Sequence, residues 1–155
     1  MGRTETFWTQ YGPYLAFGAA LSAMLGSLYY SEIAGFVPCT LCWYQRILMY
    51  PLNAILFIGI LKHDEGVFDY VLPLSVLGMG FSTYHYLIQL GVIEHSPACS
   101  VGLPCSLRWV NYLGFVTIPL MALTAFTIIT SVMALAKWAG RDAAPAAPLL
   151  ADATE

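Results

Sequence analysis

Two cysteines three positions apart, Cys39 and Cys42, stand where a polar turn gives way to a long apolar run, and Arg46 follows four residues later. Two thiols at this spacing can close a disulfide or share a metal ion. If a helix begins near Pro38, both sulfurs lie in its first turn, where unpaired backbone N–H groups and the helix dipole stabilise a thiolate. Cys42 and Arg46 share a helix face, so the guanidinium favours a Cys42 thiolate further. The stretch predicts redox chemistry; a static disulfide, with Arg46 as an interfacial anchor, is the alternative.

A second pair, Cys99 and Cys105, lies in the longest polar connection of the chain. Gly102 and Pro104 favour a turn between them that brings the two sulfurs together. Such a loop is accessible to a soluble protein, although a purely structural disulfide within the loop explains the pair equally well. Zinc and iron–sulfur clusters fit less well, because five residues separate these cysteines and closed tetrahedral sites use C-x2–4-C pairs. We therefore predict no metal site.

His85 lies inside the third apolar run, and Gln89 follows one helical turn later on the same face. Polar side chains at such a depth in a membrane are rare and often functional. The two side chains can hydrogen-bond a carbonyl-bearing headgroup near the outer leaflet. A histidine bonded to another helix is the alternative. His95, in the following loop, is interpreted as a solvated residue.

The elements that must position these residues are predicted to be membrane helices. The 155 residues are 59% hydrophobic and only 10% charged, whereas a soluble domain carries about 25% charged residues. A spanning helix needs roughly 20 apolar residues, and four suitable runs cover about residues 14–30, 43–61, 70–93 and 112–138. The first run is interpreted as a retained helix, since no A-x-A cleavage site follows it. Short connections then predict an all-α membrane protein, an up-down bundle of four transmembrane helices.

Positive charges outside the runs predict the orientation of the bundle. Arg3, Lys62, Lys137 and Arg141 fall on one side, and only Arg108 falls on the other. Because positive charge marks the cytoplasmic side, the N- and C-termini are expected to be cytoplasmic. The loops that carry the cysteines then face the extracytoplasmic side, where disulfides persist.

The chain divides by composition into a bundle domain at 1–138 and a tail at 139–155. The tail is rich in alanine, proline and acidic residues and has no aromatic residue after 138, so a flexible cytoplasmic tail is expected. The net charge is −3, and no basic patch points to a nucleic-acid partner.

Two cysteine pairs on one surface suggest a relay, in which thiol–disulfide exchange passes two electrons from a soluble dithiol through both pairs. The electrons need an acceptor, and the sequence has no haem motif, flavin fold or NAD fingerprint. A membrane quinone requires only a slot between helices and one or two hydrogen-bond donors. Two alternatives stay open. Electrons could flow in the opposite direction, although the cytoplasmic loop has no cysteine to receive them, or the chain could be a small membrane scaffold with two structural disulfides.

The stretch Cys39-Thr-Leu-Cys42-Trp-Tyr-Gln-Arg46 resembles the DsbB family of quinone-linked disulfide-forming membrane oxidases, above all its BdbC-like branch. Residues 83–90, Thr-Tyr-His-Tyr-Leu-Ile-Gln-Leu, are similar to the stretch that holds the quinone-site histidine of that family, and residues 109–126 are similar to the fourth span of the branch. The resemblance covers about residues 13–138. In the vitamin K epoxide reductase family the Cys-x-x-Cys motif follows the pair of loop cysteines. In this chain the motif, Cys39 and Cys42, precedes the loop cysteines, Cys99 and Cys105.

The resemblance implies a role for each residue near the membrane. Cys39 and Cys42 match the quinone-proximal pair, with Cys42 as the thiolate that meets the quinone. Arg46 matches the arginine that supports the quinone, and His85 matches a quinone-site residue. Gln89 is expected to join this cofactor-binding group, and the quinone would be ubiquinone or menaquinone.

The resemblance also implies that Cys99 and Cys105 take electrons from a secreted or periplasmic thioredoxin-fold, DsbA-like thiol oxidase. Cys99 would be attacked first and form a mixed disulfide. The implied protein lies in a bacterial plasma membrane and makes disulfides de novo. In the best-known family members the loop cysteines are widely spaced. Only five residues separate them here, and this short spacing argues against a large movement of the loop during electron transfer.

Overall fold

The computed structural model describes residues 2–64, 66–93, 99 and 103–143. His95 and residues 144–155 of the predicted tail lie outside the described residues. The remaining part of that tail, residues 139–143, continues the last helix.

Four helices make up the described part of the chain: α1 (Gly2–Leu28), α2 (Thr40–Lys62), α3 (Val67–Gln89) and α4 (Ile118–Ala143). A π-helical turn over Tyr29–Ile33 extends α1. Helices α1 and α3 each pack against both α2 and α4, which closes the four helices into a ring. The prediction of an all-α, four-helix membrane bundle is confirmed, while the side on which the termini lie stays a prediction.

Three of the helices are long and apolar enough to cross a membrane: α2, α3 and the Ile118–Gly140 part of α4. Helix α1 is not in this set, because many of its residues are glycine, serine or tyrosine. The outer faces of the helices carry large apolar side chains that are exposed in the isolated chain. A hydrocarbon solvent suits this arrangement, since it leaves no apolar surface in water. Examples are Ile47, Phe57, Leu61, Leu77 and Leu135.

Helix α2 begins and ends at residues that cap it. Cys39 is the N-cap, with extended backbone (φ −72°, ψ 171°), and its sulfur accepts a hydrogen bond from the Cys42 N–H. His63 ends the helix in the left-handed conformation (φ 49°), and its N–H bonds to the carbonyl of Gly59. The cap therefore places the first cysteine at the mouth of the helix and the second inside its first turn.

Helix α4 begins six residues later than the fourth apolar run, which was predicted to start near residue 112. A tight turn pairs Tyr112 with Val116, and it places Leu113 (φ 55°) and Gly114 (φ 83°) in the left-handed region. Pro119 then falls in the first helical turn, where a missing N–H costs nothing. Pro119 therefore helps to begin the helix.

Buried apolar side chains from all four helices fill the bundle, and a few polar contacts fix the helices to one another. Asn53 Nδ2 donates to the carbonyl of Ala20 at 3.2 Å, which joins α2 to α1. Thr130 Oγ1 donates to Ser75 Oγ at 3.0 Å, which joins α4 to α3. The largest buried apolar side chains among the described residues are Phe126, Leu41, Leu52, Leu56, Ile129, Met133 and Val71.

We predict that Gly78→Ala destabilises the bundle and that Gly80→Ala does not. A Cβ on Gly78 would lie 2.2 Å from the Phe126 ring, whereas a Cβ on Gly80 meets nothing within 4 Å. Overpacking of this kind costs about 1–3 kcal/mol, while alanine favours an open helical site over glycine. Thermal unfolding of the detergent-solubilised variants, followed by circular dichroism, checks this. Equal Tm values for the two variants would contradict the close contact of α3 with α4.

Candidate active site

The membrane pair, Cys39 and Cys42, lies at the mouth of α2 in the thiol state. Their sulfurs are 2.9 Å apart, and the Cys42 N–H points at the Cys39 sulfur at 3.4 Å. Cys39 is buried and Cys42 is partly exposed. The first turn of the helix thus brings the two sulfurs within reach of each other, as their spacing predicts.

The hydrogen bonds around the membrane pair converge on the Cys39 sulfur. The thiol of Cys42 donates to it, and His85 Nε2 lies 3.7 Å away. The bond from Cys42, followed by the His85 contact, lowers the pKa of Cys39 to about 4 against the opposing effect of burial. In this state the negative charge belongs on Cys39, whereas the resemblance implied that Cys42 is the thiolate.

The loop pair, Cys99 and Cys105, forms a disulfide with Cα atoms 5.7 Å apart. Cys105 is buried, with only 2% of its surface exposed. Its sulfur, the Cys39 sulfur and a ring nitrogen of His85 all lie within 4.8 Å of one another. The two pairs, distant in sequence, therefore meet through one buried sulfur of each.

His85 lies between the two pairs and is almost fully buried, at 1% exposure. Its Nε2 is 3.1 Å from the carbonyl oxygen of Cys105, and its Nδ1 is 3.3 Å from Nε2 of Gln45. One turn later, Gln89 Nε2 donates to the carbonyl of Leu107 at 3.1 Å. The two polar residues of α3 thus hold the backbone of the loop.

On the other side of α2, a cavity of about 170 Å³ opens between α1, α2 and α4. We call it the α2 cavity. Its lining is mostly apolar, and it includes Cys42, Arg46 and Gln45 but neither His85 nor Gln89. Three aromatic rings, also part of the lining, stack at one end. Tyr30 stacks on Phe36 with centroids 5.9 Å apart, and Phe36 stacks on Trp109 at 5.2 Å.

Polar groups from one face of α2 line the α2 cavity at helical spacing: Cys42, Arg46 and Tyr50. Arg46 donates to the carbonyl of Ser27 at 3.0 Å, and among the described residues no carboxylate pairs with it. The buried Tyr50 hydroxyl has no hydrogen-bond partner among the described residues. The cavity therefore holds one unsatisfied donor beside a cation and a thiol.

Sequence reasoning missed two residues of this site. Tyr50 continues the i, i+4 series of Cys42 and Arg46, so the helical period alone was a usable signal. Gln45 had no such signal, because its bond to His85 depends on how α3 packs against α2. The same packing explains why His85 faces the loop, a position that the hydropathy of α3 cannot specify.

The Cys39, His85 and Cys105 donor atoms are close enough to share a metal ion. Metal binding requires thiolate sulfur, and the Cys105 sulfur is held in the disulfide. The absence of a metal site stays a prediction.

We predict that the reduced membrane pair carries one thiolate down to about pH 5. Because the pKa of Cys39 is lowered to about 4, the charged form persists as the pH falls and is lost only near that value. The measurement is the 240 nm thiolate absorbance of a Cys99→Ser/Cys105→Ser variant between pH 3 and 9. Adding Cys39→Ser should abolish the signal, and adding Cys42→Ala should move its midpoint upward. A midpoint above pH 8 without Cys42→Ala would refute the assignment.

Comparison with known proteins agrees with this geometry. The profile of the family described as "Disulfide bond formation protein DsbB" matches residues 10–147. A "Probable disulfide formation protein C" of Halalkalibacterium halodurans is 57% identical over 112 residues, covering 71% of this chain and 81% of the relative. "Disulfide bond formation protein C" of Bacillus subtilis is 51% identical over 126 residues, covering 80% of this chain and 91% of the relative.

A more distant relative, a "Probable disulfide formation protein" of Deinococcus radiodurans, is 43% identical over 134 residues, covering 81% of this chain and 86% of the relative. No solved structure matches the chain. The family match, over residues 10–147, includes both cysteine pairs, and the relatives extend over most of the sequence. With its membrane helices and adjoining cysteine pairs, the chain belongs to the DsbB family and is a membrane protein of disulfide bond formation.

Proposed function

We propose that the chain is a membrane protein-dithiol:quinone oxidoreductase, which reoxidises a thioredoxin-fold thiol oxidase and passes the electrons to a quinone. One observation carries the proposal. The loop disulfide touches the thiol-state membrane pair through buried atoms, and the same pair reaches the α2 cavity through Cys42. A chain of thiol groups that leads from a loop to a membrane cavity is what such an oxidase requires.

The exchange between the pairs follows from the positions of the sulfurs. When a partner dithiol has reduced the loop pair, the Cys105 thiolate attacks the Cys39 sulfur of an oxidised membrane pair, and Cys42 leaves. The Cys99 thiolate then attacks Cys105, which reforms the loop disulfide and releases Cys39 as a thiolate. Two electrons move to the membrane pair, one thiol proton ends on Cys42, and the second proton is released. A thiol-state membrane pair beside a loop disulfide, the arrangement in this structure, would be the product of this step.

The α2 cavity fits a quinone headgroup by the chemistry of its lining. The membrane pair would supply two electrons and the Cys42 proton to a quinone bound there, and water would supply the second proton. Its carbonyl oxygens need donors, and Tyr50 offers an unpartnered hydroxyl. Arg46 adds a cation whose N–H groups strengthen any hydrogen bond to an oxygen that gains negative charge. Ubiquinone and menaquinone both present such oxygens.

The partner and the side of the membrane complete the proposal. Cys99 needs only to meet a partner thiolate, and we assign to it the mixed disulfide with a secreted DsbA-like oxidase. The excess of Lys and Arg at the termini and in the α2–α3 turn supports a position of the loop pair outside the plasma membrane.

We expect the purified, lipid-reconstituted protein to transfer electrons from a dithiol to decylubiquinone. Replacing any one cysteine by serine should lower the rate with a thioredoxin-fold dithiol at least a hundredfold. The four variants are Cys39→Ser, Cys42→Ser, Cys99→Ser and Cys105→Ser. Each variant breaks the covalent relay, so no other group can substitute. The rate is followed by loss of quinone absorbance, with heat-denatured protein as the control.

A thioredoxin-fold rate that Cys42→Ser leaves unchanged would contradict the proposal. In that case the scaffold alternative, with two structural disulfides, would account for the cysteines. Intact cells test the orientation: a membrane-impermeant phosphine should open the loop disulfide from outside. Protection from the phosphine in intact cells, but not in opened ones, would reverse the assigned side.

We predict that Tyr50→Phe raises the decylubiquinone KM roughly threefold to tenfold and that Arg46→Ala raises it more. A neutral hydrogen bond contributes about 0.5–1.5 kcal/mol, and a bond from a charged donor contributes about 1.5–3 kcal/mol. Tyr44→Phe is the matched control, because Tyr44 lies on α2 but is exposed and outside the cavity. A KM that changes equally in the Tyr44 and Tyr50 variants would remove Tyr50 from the site.

A further inference from the structure

His85 makes three contacts that one tautomer of its neutral ring satisfies together. The Cys105 carbonyl at 3.1 Å can only accept a hydrogen bond, so Nε2 of His85 must carry a proton. In a neutral imidazole Nδ1 is then bare and accepts from the side-chain N–H of Gln45 at 3.3 Å. The same Nε2 faces the Cys39 sulfur at 3.7 Å. Gln45 thus fixes the tautomer that points an N–H at both cysteine pairs.

From this arrangement we propose that His85 is a catalytic residue of the exchange between the two pairs, and that Gln45 is its positioning residue. The inference rests on the proposed function and assigns a step within it. His85 holds the loop by the carbonyl of Cys105, and its N–H stabilises Cys39 when that sulfur leaves as a thiolate. His85 therefore serves transfer between the pairs, on the side of α2 away from the α2 cavity.

The chemistry of the step requires such a donor. When Cys99 attacks the Cys39–Cys105 mixed disulfide, the bond between those two sulfurs breaks and its electron pair stays on Cys39. A buried sulfur anion needs hydrogen-bond donors in place of water. The Cys42 N–H and the His85 N–H supply two, at 3.4 and 3.7 Å. The proton of His85 is shared with the anion and is not consumed.

Gln89 supports the same assignment from one turn further along α3. It donates to the carbonyl of Leu107, two residues beyond the one that His85 holds. His85 and Gln89 therefore hydrogen-bond alternate backbone carbonyls of one loop segment. A pair of contacts at this spacing fixes both the position and the direction of the segment that carries Cys105.

The test isolates the exchange step by leaving out quinone. Fully oxidised protein in lipid nanodiscs is mixed with dithiothreitol, quenched with acid at intervals, alkylated, and analysed by mass spectrometry for the redox state of each pair. Cys105→Ser gives the background rate of direct reduction of the membrane pair. After subtraction, His85→Leu should slow reduction of the membrane pair at least about tenfold, and Gln45→Leu should slow it less.

Conservative variants separate a catalytic role from a structural one. The amide N–H of His85→Gln can reach the place of Nε2, whereas that of His85→Asn is one bond shorter and reaches only the place of Nδ1. We expect His85→Gln to keep the exchange rate within about threefold, and His85→Asn to lose it as His85→Leu does. Ser82→Ala is the control on α3, because Ser82 is buried and its hydroxyl has no partner among the described residues.

The decylubiquinone KM of the His85→Gln variant, measured separately, should stay at the wild-type value. If His85→Asn kept the full exchange rate, or if the His85 variants raised only the quinone KM, the assignment would be overturned and His85 would belong to the quinone site. Failure of the proposed function looks different. In that case the wild-type protein itself would not pass electrons from dithiothreitol to decylubiquinone.

Discussion

The first turn of α2 is the constraint on which the site depends. A reduced sulfur that is buried at a membrane surface has lost its water and needs donors from the protein. Cys39 obtains them because it is the N-cap, where the backbone N–H of Cys42 is free of a helical partner. A helix that began one turn earlier or later would leave this sulfur without the N–H, and the adjoining loop and cavity would face the wrong residues.

Helix α2 separates the two halves of the chemistry. On one side Cys39 faces α3 and the loop disulfide, and on the other Cys42 faces the cavity between α1, α2 and α4. In the proposed function, thiol exchange and electron delivery to an acceptor therefore use different faces of the same helical turn. The membrane pair links those faces across its 2.9 Å sulfur contact, so neither the loop nor the acceptor has to move past the other.

The sequence predicted the helices well, and the mutual placement of the candidate site residues less well. Apolar runs are long enough to specify membrane helices, and the Cys-x-x-C spacing alone puts two sulfurs in one turn. The start of α4 was wrong by six residues, because hydropathy does not register the left-handed turn at Leu113 and Gly114. The neighbours of His85 depend on the rotation of α3 about its axis. Helix packing sets that rotation, and no residue pattern within α3 reveals it.

The hydrogen bonds from α3 to the backbone of the loop have a consequence for turnover. His85 and Gln89 hold main-chain carbonyls, and a carbonyl oxygen is the same whether the neighbouring cysteine is a thiol or half of a disulfide. In the proposed cycle the loop can therefore stay docked through every redox state. Its sulfur then meets the membrane pair as an intramolecular reactant at high effective molarity. In the proposed function, the encounter with the soluble partner is then the one thiol–disulfide exchange whose rate depends on the concentration of a second molecule.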